Sequence, residues 1–398
     1  MNTAKISPVR FVFTALVLYL ISWTAIQIGV WLGESYVPSG PGLKDSPVYA
    51  SDLFRFDSEY YLRIADSGYF YDGNPNSSPN IVFAPVFPVL VKTLSSLSPL
   101  SLVSAGFVVN AICLVGGILF LLIWLTNLFG FAYAILGTLF LVTSAGAYSL
   151  HAFYSEASAL FFLTWSCLAL SKKSWGQLAI ASAILSGTRV SMAPIAAIIA
   201  IVIMRQALRE RRLALIGYSL ASVSGLVVYL GYIAISIGNP FELFPKIQSH
   251  SWGLYHPEVD WTYYLGPNLI DYFGAVLDRG FGFPLDIRTL NLAWLVLATF
   301  GCMGFLRYDK RNPVAWMFTA GLIFLYLSDA GSEYLISFHR FAVLILPCFF
   351  LPVWIHTWLS KRNRPKLAHA MIGLLLTINL VYCILHTAFF HRGVWFFF

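Results

Sequence analysis

The stretch LVSAGFVVNAICLVGGILFLLIW, Leu102 to Trp124, contains no charged residue and decides the fold of this 398-residue chain. A helix needs about 20 mainly apolar residues to cross the hydrocarbon core of a bilayer, and this stretch is long enough. Backbone polar groups in lipid must be satisfied within the protein, which a helix does inside its own segment. The stretch therefore predicts a transmembrane helix.

Other long apolar stretches follow the same pattern along the chain. They are Phe11 to Leu32, Leu213 to Ile237, Ile336 to Leu359 and Ala368 to Phe389. Hydrophobic residues make up 58% of the chain and charged residues 11%, whereas about a quarter of an ordinary globular domain is charged. We predict that the first stretch is a span rather than a cleaved signal peptide, because no small-residue cleavage pattern follows it. The sequence predicts an all-α polytopic membrane protein.

The charges predict how the chain crosses the membrane. Shorter apolar segments lie at 131–150, 157–170, 290–306 and 314–327, and basic residues gather in the short loops. These basic residues are Lys172 and Lys173, then Arg205, Arg209, Arg211 and Arg212, then Arg307, Lys310 and Arg311, and finally Lys361, Arg362, Arg364 and Lys366. Basic loops face the cytosol. Alternation predicts about eleven spans, an N-terminus inside, a C-terminus outside, and two short helices within 178–204 that are broken near SGTRVS.

Two long polar segments fall on the outer side of this topology. The first covers residues 33–100 and the second about 239–289. Of the 18 acidic residues, only Glu210 and Asp309 fall on the cytosolic side. Loops of this length usually carry function. We predict one membrane domain, residues 1–398, whose functional groups lie on the outer face.

The sequence also excludes several kinds of partner and cofactor. All five cysteines fall in apolar segments, which argues against disulfides or a cysteine zinc site. The net charge of +7 is spread over short loops, as membrane topology requires, so we expect no nucleic-acid partner. No phosphate-binding glycine motif occurs, and the acids and histidines form no ligand motif such as D-x-D. We predict no nucleotide donor, no cofactor and no metal.

The first outer segment contains FRFDSEYYLRIADSGYF, Phe54 to Phe70, which packs five charges among aromatic residues. Its positions with helical spacing are Phe54, Asp57, Tyr61 and Ile64. This spacing predicts a short amphipathic helix on the membrane surface after Asp57, and such a helix could simply present its charges to water. The run FAPVFPVL, Phe83 to Leu90, follows with two prolines, which predict a rigid lip rather than a helix interior.

These two segments together resemble the PIG-V-like mannosyltransferases, a family within the GT-C class of membrane glycosyltransferases. The family pattern is roughly W/F-D-S/A-x-x-Y/F-x-x-I-A-x-x-G-Y and then F-F-P-x-Y/F-P. The chain meets it from Phe56 to Tyr69 and from Phe83 to Pro88, with Ala84 at the position of a common phenylalanine and Phe56 at that of a common tryptophan.

Three later segments are similar to the family's Y-S-E, T-R-x-x-G/S and S-x-R-F/Y-x-x-x-x-x-P segments. In chain order they are HAFYSEASALFF (His151 to Phe162), SGTRVSMAP (Ser186 to Pro194) and SFHRFAVLILPCFF (Ser337 to Phe350). The resemblance implies a GT-C-type fold and an inverting hexosyltransferase, most simply a mannosyltransferase. It also implies that the sugar moves from a polyprenyl or dolichyl phosphate to a glycolipid or glycan hydroxyl outside the cytosol, with Asp57 as the base.

Physical chemistry supports such a role for Asp57. An alcohol is a weak nucleophile, and a carboxylate within hydrogen-bond reach can take its proton as it attacks an oxocarbenium-like centre. Glu59 would point away from Asp57 on a short helix, and Asp66 lies too far along the chain to share its site. We predict that Glu59 is a solvated charge.

Arginines near the membrane are candidates for holding a phosphate, because their planar fork matches its oxygens. We predict that Arg189, Arg340 and the adjacent His339 bind the donor phosphate. The alternative for each arginine is a buried ion pair, for example with Glu156, or snorkelling to the surface, and His339 could be structural. Glu156 either caps the helix that it opens or belongs to the site.

Substrate-binding residues complete the predicted site. They are Arg55, Tyr61, Glu156, Gln248 and Trp252. The last two lie in PKIQSHSWG, Pro245 to Gly253, where Trp252 could equally anchor the chain at the membrane interface. The expected partners are a polyprenyl-phosphate-linked sugar, a glycolipid or glycan acceptor, and membrane lipids.

A transporter or flippase of lipid-linked sugars is the rival hypothesis. It would carry paired polar groups near the membrane midplane in two related halves, and no such halves are visible in the sequence. A subunit without activity is a third hypothesis, which would require Asp57 to be dispensable. The short loops favour a prokaryotic plasma membrane over the endoplasmic reticulum membrane.

Overall fold

The computed structural model describes residues 6–40, 52–252, 287–329 and 337–394, and this part of the chain is helical without a strand. Its helices are α1 Pro8–Tyr36, α2 Ser58–Ser67, α3 Val86–Leu97, α4 Leu102–Phe129, α5 Phe131–Val142, α6 Tyr148–His151, α7 Glu156–Ser171, α8 Trp175–Ser186, α9 Ala193–Glu210, α10 Leu213–Ala221, α11 Ser224–Ser236, α12 Pro240–Trp252, α13 Ile287–Tyr308, α14 Pro313–Asp329, α15 Phe338–Phe341, α16 Leu351–Lys361 and α17 Pro365–His391.

The prediction of an all-α multi-pass membrane protein is confirmed. In the described residues, α1, α4, α13, α17 and the helical run that ends with α9 are long and apolar enough to cross a membrane. Two bent pairs would bring the number of spans to seven: α10 with α11, bent by 53°, and the segments on either side of Ile345, bent by 79°. The other apolar helices have 10–17 residues, which is fewer than a straight span needs. The figure of eleven spans therefore stays a prediction.

Helix α7 lies at the centre of the bundle. It packs against α4 and α8 and buries almost every side chain, so it has no polar face. Two glycines let α4 approach α7 and the residues before it closely. A Cβ on Gly106 would overlap the Phe153 ring, and one on Gly116 would overlap the Phe161 ring. This packing holds the first residue of α7, Glu156, in the protein interior.

Contacts between helix ends give the bundle two distinct ends. At one end, Tyr308 donates to the Leu128 carbonyl over 3.3 Å, close to the basic residues that follow α13. At the other, which we call the outer end, Arg392 donates to the Val37 carbonyl over 2.9 Å. The C-terminal ends of α1 and α17 thus meet opposite the basic loops, as the predicted topology requires. The membrane side that each end faces stays a prediction.

Local breaks in the helices agree with most of the predictions. The break near SGTRVS is confirmed, since α8 ends at Ser186 and α9 begins at Ala193. The helix after Asp57 is also confirmed as α2. Pro85 and Pro88 lie at the start of α3 and not in a helix interior, as predicted, whereas the rigid lip stays a prediction. A helix start tolerates proline, since the first turn has no intrahelical partner for its N–H groups.

The close approach of α11 to α8 gives a prediction for Gly225. A Cβ there would overlap the Ala183 carbonyl oxygen, while the neighbouring Leu226 N–H donates to Ser186 Oγ over 3.1 Å. Gly225→Ala is expected to lower the melting temperature of the purified protein, since overpacking costs about 1–3 kcal/mol. Gly231→Ala is the control: it lies on the same helix with open space around it. Equal melting of both variants would contradict the close approach.

Candidate active site

Four segments that are far apart in the sequence meet at the outer end in one group of charged side chains, which we call the charged cluster: Asp57, Glu156, Arg189 and Arg340. Arg340 lies at its centre, with Nη1 2.7 Å from Asp57 Oδ2 and Nε donating to Glu156 Oε1. Arg189 Nη1 lies 2.7 Å from the same Glu156 oxygen. Arg340 therefore links the two carboxylates, and Arg189 joins the cluster through Glu156.

Each member of the charged cluster lies at a helix end or a break. Asp57 directly precedes α2, Glu156 opens α7, Arg189 follows the end of α8, and Arg340 lies in the single-turn helix α15. Side chains at such places are fixed by several elements at once, and ionisable groups in apolar bundles usually line cavities. The arrangement is typical of a functional site rather than of helix-to-helix packing.

Two unusual backbone conformations lie next to the cluster. Phe56 has φ of 47° and Ser337 has φ of 65°, both in the left-handed region that residues other than glycine seldom adopt. Phe56 directly precedes Asp57. The Ser337 carbonyl accepts from the Arg340 backbone N–H over 2.9 Å. Strained positions of this kind persist where the surroundings fix them, and they concentrate at functional sites.

Aromatic rings form the wall of the cluster. The Arg340 guanidinium carbon lies 4.2 Å from the centre of the Tyr154 ring, and that of Arg189 lies 4.8 Å from the centre of the Phe341 ring. These rings keep the guanidinium groups in place through cation–π contact and exclude water from one side. Charges inside the cluster therefore interact more strongly than they would in water.

Exposure differs sharply within the cluster. The Asp57 side chain is 20% exposed, whereas that of Arg340 is 5% and that of Glu156 is 0% exposed. Asp57 is thus the member that a molecule arriving from outside meets first. Glu156 Oε2 is buried and has no hydrogen-bond partner within the described residues. An unsatisfied buried acceptor costs about 1–3 kcal/mol, so a hydrogen-bond donor beside this oxygen would be favourable.

Glu156 and Arg189 contribute to the charged cluster in more than one way. The buried ion pair between them is present, but it is one part of the larger cluster. The Glu156 side chain binds both arginines, and as the first residue of α7 it also lies where the helix dipole favours a carboxylate. Arg189 is 11% exposed and contacts Glu156 and Ser155 through Nη1. Its guanidinium has further donors with which it could bind an anion.

Arg55 and Tyr61 make contacts within the protein, and their predicted substrate contacts stay a prediction. Arg55 is buried and donates from Nε to the His391 carbonyl and from Nη1 to the Phe54 carbonyl, both over 2.7 Å. The Tyr61 hydroxyl lies 2.7 Å from Ser155 Oγ. Burial raises the pKa of Tyr61 to about 12, so its hydroxyl stays protonated. Both side chains hold the segments that carry the charged cluster.

His339, which directly precedes Arg340, is held by contacts with two other segments. Its Nδ1 lies 2.8 Å from Asn291 Oδ1 and its Nε2 lies 3.3 Å from the Tyr148 hydroxyl. An amide oxygen only accepts, so Nδ1 donates and Nε2 accepts from the tyrosine. These contacts fit a structural role for His339, and its predicted contact with a phosphate stays a prediction.

Two predicted residues cannot be placed against the cluster. Gln248 and Trp252 belong to α12, but their side chains lie outside the described residues. Conversely, the sequence-based prediction missed Tyr154, Ser155 and Asn291. The first two stand beside Glu156 in the Y-S-E segment, and Asn291 is a polar residue near the start of an apolar segment, so a signal was present for each.

No model of a known protein family matches the chain, and no curated protein matches it either. The resemblance to the PIG-V-like mannosyltransferases therefore rests on the short motifs alone. Because neither a motif nor a helical bundle establishes an activity, the function has to be inferred from the chemistry of the charged cluster.

Proposed function

We propose that the chain is an inverting glycosyltransferase, in the simplest case a mannosyltransferase, that moves a hexose from a polyprenyl-phosphate donor to an acceptor hydroxyl at the outer end. One observation carries the proposal: a partly exposed carboxylate, Asp57, contacts a buried arginine, Arg340, inside an apolar helical bundle. A base and an anion-binding group thus stand side by side where lipid-borne substrates can arrive.

In the proposed reaction, Asp57 accepts the proton of the acceptor hydroxyl. The hydroxyl oxygen forms its new bond to the anomeric carbon on the face opposite the phosphate. The bond from that carbon to the phosphate oxygen breaks, and its electron pair stays on the phosphate. A single displacement of this kind inverts the anomeric configuration. Glu156 Oε2 accepts a hydrogen bond from a sugar hydroxyl during the transfer.

The net charge of the site does not change during this reaction. Asp57 loses one negative charge when it takes the proton, and the phosphate gains one when the sugar leaves. The total charge around Arg189 and Arg340 therefore stays constant. As Asp57 becomes neutral, its ion pair with Arg340 weakens, and the Arg340 donors can turn to the phosphate, whose charge rises at that moment. The contact between Asp57 and Arg340 links proton uptake to leaving-group stabilisation.

An apolar cavity supports a lipid-borne donor. The cavity has a volume of about 510 Å³ and is lined by α13, α16, α17, the segment before α16 and the end of α5, with side chains such as Leu290, Trp294 and Phe349. Leu290 directly precedes Asn291, which binds His339 beside Arg340. A hydrocarbon chain would bind favourably in this cavity, because its apolar surface would be removed from water or would exchange contacts with lipid for contacts with the cavity wall.

Reconstitution tests the proposal. Purified protein is supplied with polyprenyl-phosphate mannose, then with other polyprenyl-phosphate hexoses, and with lipid and glycan extracts from cells that lack the protein. Mass spectrometry should detect an acceptor that has gained one hexose and an equal amount of free polyprenyl phosphate. Movement of the intact donor across vesicles without any product would instead support a transporter. Transfer from a nucleotide sugar alone would also contradict the proposal.

The role of Arg340 gives a second prediction. Arg340→Lys keeps the positive charge but cannot bind Asp57, Glu156 and a phosphate at once. We expect kcat/KM for the donor to fall about 10- to 100-fold, since a hydrogen bond to a charged group contributes about 1.5–3 kcal/mol. Arg63→Lys is the matched control, because Arg63 is exposed and pairs with Glu59 over 2.5 Å on α2. Wild-type kinetics in Arg340→Lys would leave Arg340 with a structural role only.

A further inference from the structure

A second group of polar side chains lies at the outer end, separate from the charged cluster. One carboxylate oxygen of Glu34, one of Asp52 and one ring nitrogen of His391 lie within 4.8 Å of one another. Glu34 belongs to the last turn of α1, Asp52 to the segment before α2, and His391 ends α17. Because the three residues are distant in the sequence, they form no metal-binding sequence motif.

The hydrogen bond of His391 determines which ring nitrogen is available. Nδ1 lies 2.9 Å from the Asp52 carbonyl oxygen. A carbonyl only accepts, so Nδ1 carries the proton, and Nε2 of the neutral ring keeps its lone pair. His391 is 5% exposed, and its Nε2 lies 3.7 Å from Glu34 Oε1. Within the described residues this nitrogen has no hydrogen-bond partner. Two electron-rich atoms that face each other at this distance favour a cation between them.

The distances suit a metal ion with little adjustment. Zinc binds histidine nitrogen and carboxylate oxygen at about 2.0–2.2 Å, so neighbouring tetrahedral ligand atoms lie about 3.4 Å apart. The 3.7 Å between His391 and Glu34 is close to this value, and the Glu34 side chain is 59% exposed, so it can move inward. Metal-binding histidines usually donate their other N–H to a carbonyl or carboxylate, as His391 does.

We propose that Glu34, Asp52 and His391 form a binding site for one divalent transition-metal ion, and the ligand types select Zn²⁺. One imidazole with two carboxylates suits zinc, whereas Mg²⁺ and Ca²⁺ prefer oxygen ligands alone. The ion joins α1 and α17 to the segment from Asp52 to Asp57. Arg55 reinforces the same junction by donating to the His391 carbonyl. The ion therefore fixes the segment that carries Asp57, and this proposal does not depend on the proposed sugar transfer.

Titration of the purified, EDTA-stripped full chain with Zn²⁺ tests the site. Calorimetry should give one ion per chain, and the melting temperature should rise with the logarithm of the zinc concentration, because the ion binds the folded state. Glu34→Gln and Asp52→Asn should each weaken binding at least about tenfold, since each removes one of the three ligands. The control Asp66→Asn should leave it unchanged, since Asp66 is an exposed acid that accepts from Ser67. Mg²⁺ at the same concentration should have no effect.

Hydrogen exchange tests whether the ion binds at this position. Hydrogen exchange in a peptide that covers residues 52–57 should slow on zinc addition in the wild-type protein but not in Glu34→Gln, which should fold normally because Glu34 is exposed. Absence of stoichiometric binding, or equal binding in the wild type and in both ligand variants, would overturn the proposal. None of these measurements uses sugar transfer, so failure of the metal site and failure of the proposed function can be told apart.

Discussion

Asp57→Asn is expected to lower the rate of sugar transfer by about 10²- to 10⁴-fold, the range that general-base catalysis contributes. Asparagine has nearly the same shape but cannot take up the acceptor proton. Because Asp57 also pairs with Arg340 over 2.7 Å, the variant frees that arginine for the donor phosphate. Donor binding should therefore persist while turnover is lost. Initial rates at saturating donor and acceptor concentrations, together with an equilibrium donor-binding assay, measure the two effects separately.

Glu59→Gln is the matched control for this variant. Glu59 lies two positions further on, in the first turn of α2, where it forms an ion pair with the exposed Arg63. We expect its transfer rate to stay within about twofold of the wild type, as for most surface changes. The melting temperature of Asp57→Asn should be measured in parallel, so that lost activity is not confused with unfolding. Near-normal turnover in a folded Asp57→Asn protein would exclude Asp57 as the base.

Glu156→Gln is expected to have the largest effect on stability. Glu156 Oε1 accepts from Arg340 and forms an ion pair with Arg189 at a fully buried position. Removing the charge leaves the buried Arg340 and the slightly exposed Arg189 with Asp57 as the remaining acid of the cluster. Breaking a buried ion pair by removing one partner costs about 3–5 kcal/mol. The melting temperature of the purified protein should therefore fall well below that of Gly225→Ala.

A double variant separates the lost charge from the changed shape. Glu156→Gln combined with Arg189→Met removes both charges of one pair, and the arginine carries its charge on a long apolar stem that methionine can replace. We expect part of the lost stability to return, because removal of both partners of a buried pair is often nearly neutral. If Glu156→Gln alone melts like the wild type, the buried network does not stabilise the fold.

The candidate site was only partly predictable. Asp57, Arg189, Arg340 and Glu156 were each selected from a separate segment, and all of them lie in the charged cluster. Each is a charge flanked by apolar or aromatic sequence, which is a signal that one sequence can give. Their partners could not be predicted, because an ion pair depends on side-chain geometry rather than on residue type.

Other predicted residues make contacts that their residue types did not indicate. Arg55 and His339 have the residue types that bind anions, yet the fold directs Arg55 to main-chain carbonyls and His339 to Asn291. The site of Glu34, Asp52 and His391 was invisible in the sequence, because its three members come from elements that meet through the packing of α1 against α17. The prediction of no metal relied on local spacing, which says nothing about such a meeting.

By itself, the sequence determined the properties that depend on neighbouring residues. Apolar length determined that the chain forms helices long enough to cross a membrane, and helical spacing determined α2. The basic clusters on either side of residues 178–204 predicted the break between α8 and α9. Tertiary structure alone decided that Arg340 joins Asp57 to Glu156. Helix formation depends on backbone bonds between residues four positions apart, whereas the cluster depends on how the central helix α7 packs among its neighbours. That packing is a sum over many distant side chains, and no short stretch of sequence contains it.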